Sequence, residues 1–508
     1  MATSFRKPIQ WLAVAAVAVL ILLLVFRWPD SGSGQNEADQ AEAVSPVTRT
    51  RPEGLPGVVG ETYTDDLDGI AERGVIRALV VPSLTDFFSL EGRILGIQAE
   101  LLKNLEKHIN ENIDRDGLDV RVVYVPVTFS ELIPALLEGR GDIAAAILTR
   151  TPEREAIVDF VGGVNFPISE IVVHGEDVED IESLQDLAGR KVHVLQDSSY
   201  AEHLEALNQE FLDTQLDRID IVEMDPHLTT EDILELVNAG LVEITIADDY
   251  KATLWAEVLP DIEVRENIVL QEDTSAGWAV RKDNPELAAA IREASRKVRK
   301  GTLLGNIFIE RYFGSTQWID NPLAKEDRER FRRYADLFRK YGNRYGFDWV
   351  ALMAQAYQES GLDHSVESPA GAVGIMQLLP TTASDPNVGI DDISSVEDNI
   401  HAGAKYMGFL QDRYFSDGEL EDIDQLAFTW ASYNAGPRKV RLMRAHAAEA
   451  GLDPDQWFGH VEYAALDIIG QETVRYVANI YKYYVAYRLA EDLMSARETV
   501  KTSIDESQ

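Results

Sequence analysis

The chain of 508 residues contains no cysteine. Disulfides, thiolate catalysis and a thiol-attached lipid are therefore excluded. Basic residues are also scarce, since 47 Lys and Arg stand against 87 Asp and Glu, for a formal net charge of -40. Nucleic acids require basic patches, so this charge balance argues against a nucleic-acid partner. With 45% hydrophobic residues, the chain is long enough for roughly two or three domains with cores of their own.

Sequence motifs for nucleotides and metals are missing as well. The chain has no Gly-x-Gly-x-x-Gly and no phosphate-loop lysine motif, so no nucleotide site is indicated. Its nine histidines never occur in a His-Glu-x-x-His or similar spacing, which argues against a metal site. We therefore expect neither a metal nor an organic cofactor.

A long apolar run occurs at the N-terminus. Arg6 and Lys7 precede 16 uninterrupted apolar residues from Trp11 to Phe26. Residues 1–28 are thus either a cleaved signal peptide or a retained membrane anchor, and in both cases the rest of the chain is exported. Residues 29–66 are mostly small and polar and are predicted to be a flexible linker.

The middle of the chain, residues 67–315, alternates short β-rich runs with helical ones. This alternation is typical of an α/β domain. Strands are predicted at Val75–Val81, Arg121–Val125, Lys191–Leu195, Asp220–Glu223 and Ile244–Ala247, and helices at Ile97–Ile109 and Phe129–Leu137.

Residues 322–490 are predicted to form a mainly α-helical domain, followed by a polar tail at 491–508. Within it, Glu359 shares one helical face with the apolar residues Trp349, Leu352 and Ala356. Burial on that face and the nearby helix C-terminus, before Gly361, both disfavour a charged carboxylate and so raise its pKa. A carboxylic acid still protonated near neutral pH is what general-acid cleavage of a glycosidic bond requires.

A second catalytic carboxylate is not evident. The stretch from Ala370 to Ala383, expected beside Glu359, contains no Asp or Glu. Asp363 and Glu367 are near in sequence, but the loop after Gly361 is expected to leave both in solvent. Because glycoside hydrolysis usually needs two carboxylates, one carboxylate favours a reaction in which the substrate supplies its own nucleophile.

Four motifs surround this acid in order. They are Glu359-Ser360, then Ser368 with Gly371–Leu378 (GAVGIMQL), then Ser432–Gly436 (SYNAG), and then Glu472-Thr473 with Tyr476-Val477. Over about residues 323–489 the chain resembles the lytic transglycosylases of the goose-type lysozyme superfamily, which cleave bacterial peptidoglycan. Ile375 and Ser432 depart mildly from the usual motifs, where leucine and alanine are commoner, and neither change removes a reactive group.

This resemblance implies a lysozyme-like fold and a role for each motif. Glu359 would protonate the oxygen between N-acetylmuramic acid and N-acetylglucosamine, and the muramic 6-hydroxyl would then close onto C1 to give a 1,6-anhydro sugar. The implied substrate-binding residues are Ser360, Ser368, Met376, Gln377, Tyr433, Asn434 and Tyr476. For the polar residues among them, helix capping or packing is the structural alternative.

Other motifs mark the α/β domain. They are Gly139–Asp142 (GRGD), Thr149–Arg154 (TRTPER), Asp159-Phe160, Asp186–Val192 (DLAGRKV) and a strand ending at Asp248. The domain resembles the periplasmic solute-binding proteins of the polar amino acid type, in which two lobes close over a ligand. That resemblance implies that Arg154 holds a ligand carboxylate and Asp248 meets an ammonium group.

Each of these binding residues has a structural alternative. Arg154 and Asp248 could instead form ion pairs between the lobes. Ser198 could offer an anion site or simply cap a helix, and Phe87 could stack on a ligand or pack in the core.

The combination of these two domains resembles the membrane-bound lytic murein transglycosylase F family, in which such a binding domain precedes the lytic domain. The implied function is peptidoglycan cleavage without water during cell-wall remodelling, with an amino acid or muropeptide as effector. The implied location is periplasmic and membrane-associated, at the outer membrane, or at the inner membrane if the N-terminal segment is kept. The alternatives are a hydrolytic muramidase and a non-enzymatic receptor for glycan or solute.

Overall fold

The computed structural model describes residues 55–90, 93–112, 119–162, 167–178, 181–314, 316, 325–416 and 420–505. The predicted signal peptide or anchor therefore lies outside the described residues. Within the described ranges, no helix is both long and apolar enough to cross a membrane.

The secondary structure divides into an α/β part followed by an α-helical part. The strands are β1 (Val75–Val80), β2 (Phe88–Leu90), β3 (Arg93–Leu95), β4 (Arg121–Pro126), β5 (Ile143–Thr149), β6 (Val158–Val161), β7 (Ile168–Gly175), β8 (Lys191–Val194), β9 (Asp220–Glu223), β10 (Ile244–Asp248), β11 (Ile262–Thr274) and β12 (Ala276–Arg281). The helices of the α/β part are α1 (Leu55–Val59), α2 (Leu67–Arg73), α3 (Ile97–Asn112), α4 (Leu132–Leu137), α5 (Pro152–Ile157), α6 (Ser199–Asp213), α7 (Thr230–Asn238), α8 (Asp249–Ala256), α9 (Pro285–Ser295) and α10 (Leu303–Phe313). Those of the helical part are α11 (Lys325–Tyr345), α12 (Trp349–Ser360), α13 (Pro380–Ala383), α14 (Val396–Tyr414), α15 (Asp422–Ala435), α16 (Pro437–Glu449), α17 (Glu462–Ile469) and α18 (Gln471–Asp505).

The α/β part consists of two lobes, each built on one five-stranded sheet. Lobe 1 has the strand order β4-β1-β5-β12-β6, and lobe 2 has the order β11-β7-β10-β8-β9. In lobe 1, β4, β1 and β5 pair in parallel, and β12 is antiparallel to both β5 and β6. In lobe 2, β10, β8 and β9 pair in parallel, and β7 is antiparallel to both β11 and β10. The chain passes between the lobes after β6 and returns between β11 and β12, so each lobe can move as a unit about these two crossings.

Burial explains the strand sequences. Residues 76–80 of β1 and all of β10 are buried, as expected for parallel strands covered by helices on both faces. The predicted strands agree with the observed ones to within one residue at either end. The predicted helix at Phe129–Leu137 is shorter, because residues 129–131 form a turn before α4 begins at Leu132.

The stretch from Leu55 to Asp66 lies inside the segment predicted to be a linker, and here it contacts lobe 1. The buried Arg77 guanidinium donates to the carbonyls of Glu61 and Tyr63 at 2.9 and 3.2 Å. Tyr63 N donates to Gly139 O at 2.9 Å. These backbone contacts attach the segment together with the side chain of Val59, which is buried in the core of lobe 1.

Helix α18 connects the helical domain to lobe 2. Lys482 Nζ lies 2.6 Å from Asp232 Oδ1 and 2.8 Å from Glu235 Oε2, both on α7. Nearby, Tyr481 Oη donates to Asp225 Oδ2 at 2.7 Å. Helix α7 therefore contacts, through its ion pairs, the same helix that carries Tyr476.

Candidate active site

Helix α12 places Glu359 at its C-terminal end. The helix begins after Asp348, whose Oδ1 accepts a hydrogen bond from Val350 N at 2.9 Å. It ends at Gly361, where φ is +61°, a left-handed conformation that glycine adopts without strain. Residues 349–356 of α12 are all buried, whereas Glu359 is only partly buried. The buried apolar face thus fixes the position of the helix, and the last turn of the helix lies at the edge of the core.

Glu359 is held by a tyrosine from α18. Tyr476 Oη donates to Glu359 Oε1 at 2.5 Å. The pKa of Glu359 is raised to about 7, because burial raises it by more than the hydrogen bond from Tyr476 lowers it. Since burial outweighs the hydrogen bond, the carboxyl group is substantially protonated at neutral pH.

Neighbouring carboxylates do not contribute to this pKa shift among the described residues. Asp363 accepts hydrogen bonds from Ser365 N and Oγ at 2.9 and 2.7 Å, which lower its pKa. Glu367 is exposed. Glu367 is therefore in solvent, as predicted, whereas Asp363 is partly buried and engaged by Ser365.

The loop formed by residues 371–378 is tied to α12 and α15. Ser360 Oγ donates to Ile375 O at 2.8 Å, and Tyr433 Oη donates to Met376 O at 2.7 Å. Ser368 Oγ accepts from Ala372 N at 2.9 Å and so closes the start of the loop. These three predicted substrate-binding residues thus shape the loop next to the acid.

Met376, Gln377 and Asn434 complete the predicted set. Met376 is fully buried and packs beside Gly403, where a Cβ atom would lie 2.7 Å from Met376 Cγ. Gln377 has φ of +45°, and its Nε2 donates to the carbonyls of Val366 and Gly374. Asn434 is exposed, and its Oδ1 accepts from Thr473 Oγ1 at 2.6 Å.

Three further residues around the acid were not predicted. Asn399 Oδ1 accepts from Met376 N at 2.9 Å, and its Nδ2 donates to Val373 O at 3.0 Å. His364 Nδ1 accepts from Ile375 N at 3.3 Å. Gln355 is fully buried one helical turn before Glu359. A polar residue on the buried face of α12 was the available signal for Gln355, whereas Asn399 and His364 become visible only in the fold.

The second predicted site lies between the two lobes. Ser198 and Asp248 line the cavity there, together with residues of both lobes. Ser198 occupies the cap position of α6, but its Oγ has no hydrogen-bond partner among the described residues. Burial raises the pKa of Asp248 to about 7, although the nearby Lys251 lowers it.

Arg154 and Phe87 have other surroundings. Arg154 lies 3.1 Å from Glu202 Oε1 and donates to Asp197 O at 2.9 Å, so it links lobe 1 to lobe 2. Phe87 is buried in lobe 1, with its ring 5.0 Å from that of Tyr124. Neither residue is among the described residues that line the cavity.

Comparisons with known proteins define the class. The family model for the Transglycosylase SLT domain matches residues 336–454, and the model for Bacterial extracellular solute-binding proteins, family 3, matches residues 82–315. The chain is therefore a peptidoglycan lytic transglycosylase with a two-lobed solute-binding domain, as predicted.

Within the described residues, no group of three or more His, Asp or Glu side chains is placed to hold a metal ion.

The chain belongs to the membrane-bound lytic murein transglycosylase F family. It is 30% identical over 433 residues to the family member of Desulfosudis oleivorans, covering 82% of this chain and 90% of the relative. The member from Pseudomonas fluorescens strain Pf0-1 is 27% identical over 456 residues, covering 85% of this chain and 87% of the relative. A solved structure of a mutant of ArgBP from T. maritima is 24% identical, with a TM-score of 0.40, and covers 49% of this chain and 99% of that one.

Proposed function

We propose that Glu359 is the single acid and base of a cleavage that consumes no water. The supporting observation is a carboxyl group with a pKa near 7, held by Tyr476 and without a second carboxylate acting on it among the described residues. A retaining or inverting hydrolase would need that second group as nucleophile or base.

The proposed reaction has two proton transfers through Glu359. The protonated carboxyl gives its proton to the oxygen between N-acetylmuramic acid and N-acetylglucosamine as the C1–O bond breaks. The muramic 6-hydroxyl oxygen then forms a bond to C1, and its proton returns to the Glu359 carboxylate. The product is a 1,6-anhydromuramic end, and the enzyme recovers its starting protonation state.

The loop residues have positioning roles in this proposal. Ser360, Ser368 and Tyr433 form hydrogen bonds that hold the backbone of residues 371–378 beside the acid. The fully buried side chain of Met376 anchors the same loop in the core. The exposed Asn434 and the partly exposed Gln377 carry amides suited to the N-acetyl and hydroxyl groups of a glycan. Tyr476 sets the orientation and protonation of Glu359.

The test is mass spectrometry of the muropeptides released from purified peptidoglycan by the wild type and by Glu359→Gln. We expect anhydromuramyl products from the wild type and none from the variant. Reducing-end products, heavier by one water, would instead show hydrolysis. No product from folded wild-type protein would favour a receptor that binds glycan without cleaving it.

We further propose that the two-lobed domain binds a small effector, an amino acid or a muropeptide, that modulates cleavage. The support is that helix α7 reaches both places: Glu231, at its start, lines the interlobe cavity, and the same helix forms ion pairs with Lys482 on α18.

The membrane-bound relatives and the N-terminal apolar run support a membrane-associated periplasmic location. This would be the outer membrane or, if the N-terminal segment is retained, the inner membrane. Fractionation of cells producing the full chain separates these two membranes.

A further inference from the structure

Helix α16 carries an exposed basic face in a strongly acidic protein. Arg438, Lys439 and Arg441, all in its first two turns, are exposed. The helix has no acidic residue before Glu449, which is its last residue. Because the whole chain has a formal net charge of -40, the excess of positive charge on this helix contrasts with the acidity of the protein.

The cations at the start of α16 are not neutralised from within the protein. Further along the same helix, Arg444 pairs with Asp455. Within the described part of the chain, Arg438, Lys439 and Arg441 have no such ion pair. Their charges therefore do not serve a salt bridge of the fold and are available to an external anion.

The start of α16 lies next to the proposed acid. Only two residues separate α16 from Asn434, whose Oδ1 accepts from Thr473 Oγ1 at 2.6 Å. Thr473 is three residues, about 4.5 Å along the helix axis, before Tyr476 on α18, and Tyr476 donates to Glu359. A short series of contacts therefore connects the acid with the basic face.

The exposed side chains form one stripe along α16. Arg438, Arg441 and Leu442 are three and four residues apart and so lie on the same side of the helix, with Lys439 beside them. Val440 is buried on another side of the helix, whereas Leu442 is 52% exposed. The stripe thus suits a ligand that has carboxylates and small apolar groups.

Peptidoglycan carries such a ligand next to the bond that is cut. A short peptide, the stem peptide, is attached to muramic acid, the sugar whose C1 reacts in the proposed cleavage. Its free carboxylates match guanidinium groups, which bind carboxylates in a two-pronged geometry. We infer that Arg438, Lys439 and Arg441 form a binding site for the carboxylates of the stem peptide. This inference rests on the proposed function and specifies which part of the substrate the enzyme recognises outside the glycan.

A phospholipid surface is the other anion that an exported protein meets. A helix that binds a membrane surface buries a broad apolar face between the lipids. On α16, all of whose residues are described, Leu442 is the one large apolar side chain that is exposed. The face therefore favours the stem peptide over a bilayer.

The test measures binding of soluble, fluorescently labelled glycan strands by anisotropy. The protein is the full chain in detergent solution, with Glu359→Gln to prevent turnover. One set of strands keeps its stem peptides, and an amidase has removed them from the other. We expect the peptide-bearing strands to bind at least tenfold more tightly. Equal affinity for the two sets would overturn the inference.

A triple variant tests the basic face itself. With Arg438→Gln, Lys439→Gln and Arg441→Gln added to the same protein, we expect at least a tenfold loss of affinity for the peptide-bearing strands. The affinity for peptide-free strands should stay within twofold. Equal losses for both sets would indicate a role in the glycan site or in the fold, and they would overturn the inference, as would no loss for either.

The matched control removes three exposed cations from lobe 1. It combines Arg292→Gln, Arg296→Gln and Lys297→Gln, and both affinities should stay unchanged. If the α16 variant does not fold, salt decides on the protein with an intact basic face. Raising NaCl from about 0.05 to about 0.5 M should then abolish most of the preference for peptide-bearing strands, and a preference that salt leaves unchanged would overturn the inference.

Failure of this inference is distinguishable from failure of the proposed function. Binding is measured without turnover, while release of anhydromuramyl products is measured separately with the wild type. Peptide-independent binding with these products intact would remove only the peptide site. Peptide-dependent binding without these products would support the peptide site and remove the proposed cleavage. Peptide-independent binding of strands, together with weaker binding of the α16 variant to phosphatidylglycerol vesicles, would assign the face to phospholipid and overturn the inference.

Discussion

The Tyr476 hydroxyl donates a 2.5 Å hydrogen bond to Glu359 across 117 positions of sequence. This bond joins α18 to the last turn of α12, and it opposes the effect of burial, which brings the pKa of Glu359 up to about 7. Helix α18 also reaches lobe 2 through Lys482. The protonation of the proposed acid therefore depends on a helix that also contacts the binding domain.

Removing the Tyr476 hydroxyl should raise the pKa of Glu359, because the lost hydrogen bond favours the ionised form. In Tyr476→Phe, the fall of cleavage rate at alkaline pH should therefore move to higher pH. Loss of orientation should also lower kcat by about tenfold or more. The measurement is the pH profile of anhydromuramyl product release.

The matched control is Tyr484→Phe, which removes a hydroxyl from the same helix. Tyr484 Oη donates to Asp348 Oδ2 at 3.0 Å, at the opposite end of α12 from Glu359. This variant should keep the wild-type pH profile. An alkaline limb that stays in place in Tyr476→Phe would contradict the proposed role of the bond.

Glu359 should also affect stability in a pH-dependent way. Its pKa in the folded protein, about 7, lies above the ordinary 4.5, so its contribution to stability is full below about pH 4.5 and is lost as pH rises through 7. Glu359→Gln has no such loss. At pH 8 the variant should exceed the wild type by up to about 3 kcal/mol in the free energy of unfolding, at about 1.4 kcal/mol per pKa unit.

Urea denaturation at pH 4 and pH 8 checks this difference. At pH 4 both proteins should have the same stability, because Glu359 is protonated in both the folded and unfolded states. Other buried acids are common to the two proteins and cancel in the comparison. A variant equally stable or less stable than the wild type at pH 8 would contradict the raised pKa.

Lys482 should stabilise the contact between α18 and lobe 2. Its side chain is 19% exposed and lies between Asp232 and Glu235. Lys482→Met leaves two largely buried carboxylates without their cation, which should cost about 3 kcal/mol in the free energy of unfolding. Lys482→Arg should retain most of that stability.

An exposed ion pair supplies the comparison for Lys482. Lys340 Nζ lies 2.7 Å from Glu397 Oε1, but both side chains are about half exposed. Lys340→Met should therefore cost less than about 1 kcal/mol. Equal losses for Lys340→Met and Lys482→Met in denaturant titrations would show that burial of the Lys482 pair does not matter.

Asn399 should be required to hold the loop beside the acid. Asn399→Leu keeps the branched shape of the side chain but removes the bonds to Met376 N and Val373 O. A buried group that loses its partner, as Met376 N would, costs about 1–3 kcal/mol. We expect at least a tenfold loss of cleavage rate, measured by release of anhydromuramyl products. Asn387→Leu, at an exposed position, should leave the rate unchanged; an unchanged rate in Asn399→Leu would contradict the role.

Much of the structure around Glu359 could be predicted from the neighbouring sequence. The apolar face of α12 and the glycine at 361 predict where the helix runs and where it ends, and they place Glu359 at the edge of the core. The raised pKa follows from the same pattern, since burial is its largest cause. The α/β alternation likewise predicted the strands, because buried parallel strands are continuous apolar runs.

Contacts between distant segments were not predictable in the same way. Asn399 accepts a hydrogen bond from Met376 N in the loop, although nothing in the helix sequence around Asn399 marks it for that role. Arg154 has a motif that implies a ligand carboxylate, whereas the structure pairs it with Glu202 across the lobes. Lys251 carries no motif, yet its ammonium lies between the lobes, 2.9 Å from Asp86 Oδ2 of lobe 1 and 3.1 Å from Glu231 Oε1 of lobe 2.

The sequence by itself determined the two-domain organisation, the acid Glu359 and the absence of cysteine chemistry, because composition, helical period and glycine positions act over a few residues. Only the tertiary structure decided which groups surround that acid and which fill the interlobe cleft. Tyr476 and Glu359, like Lys251 and Asp86, are brought together by packing of elements far apart in the chain. Burial and charge pairing depend on those contacts, so the pKa of the acid and the chemistry of the cleft emerge only when the chain is folded.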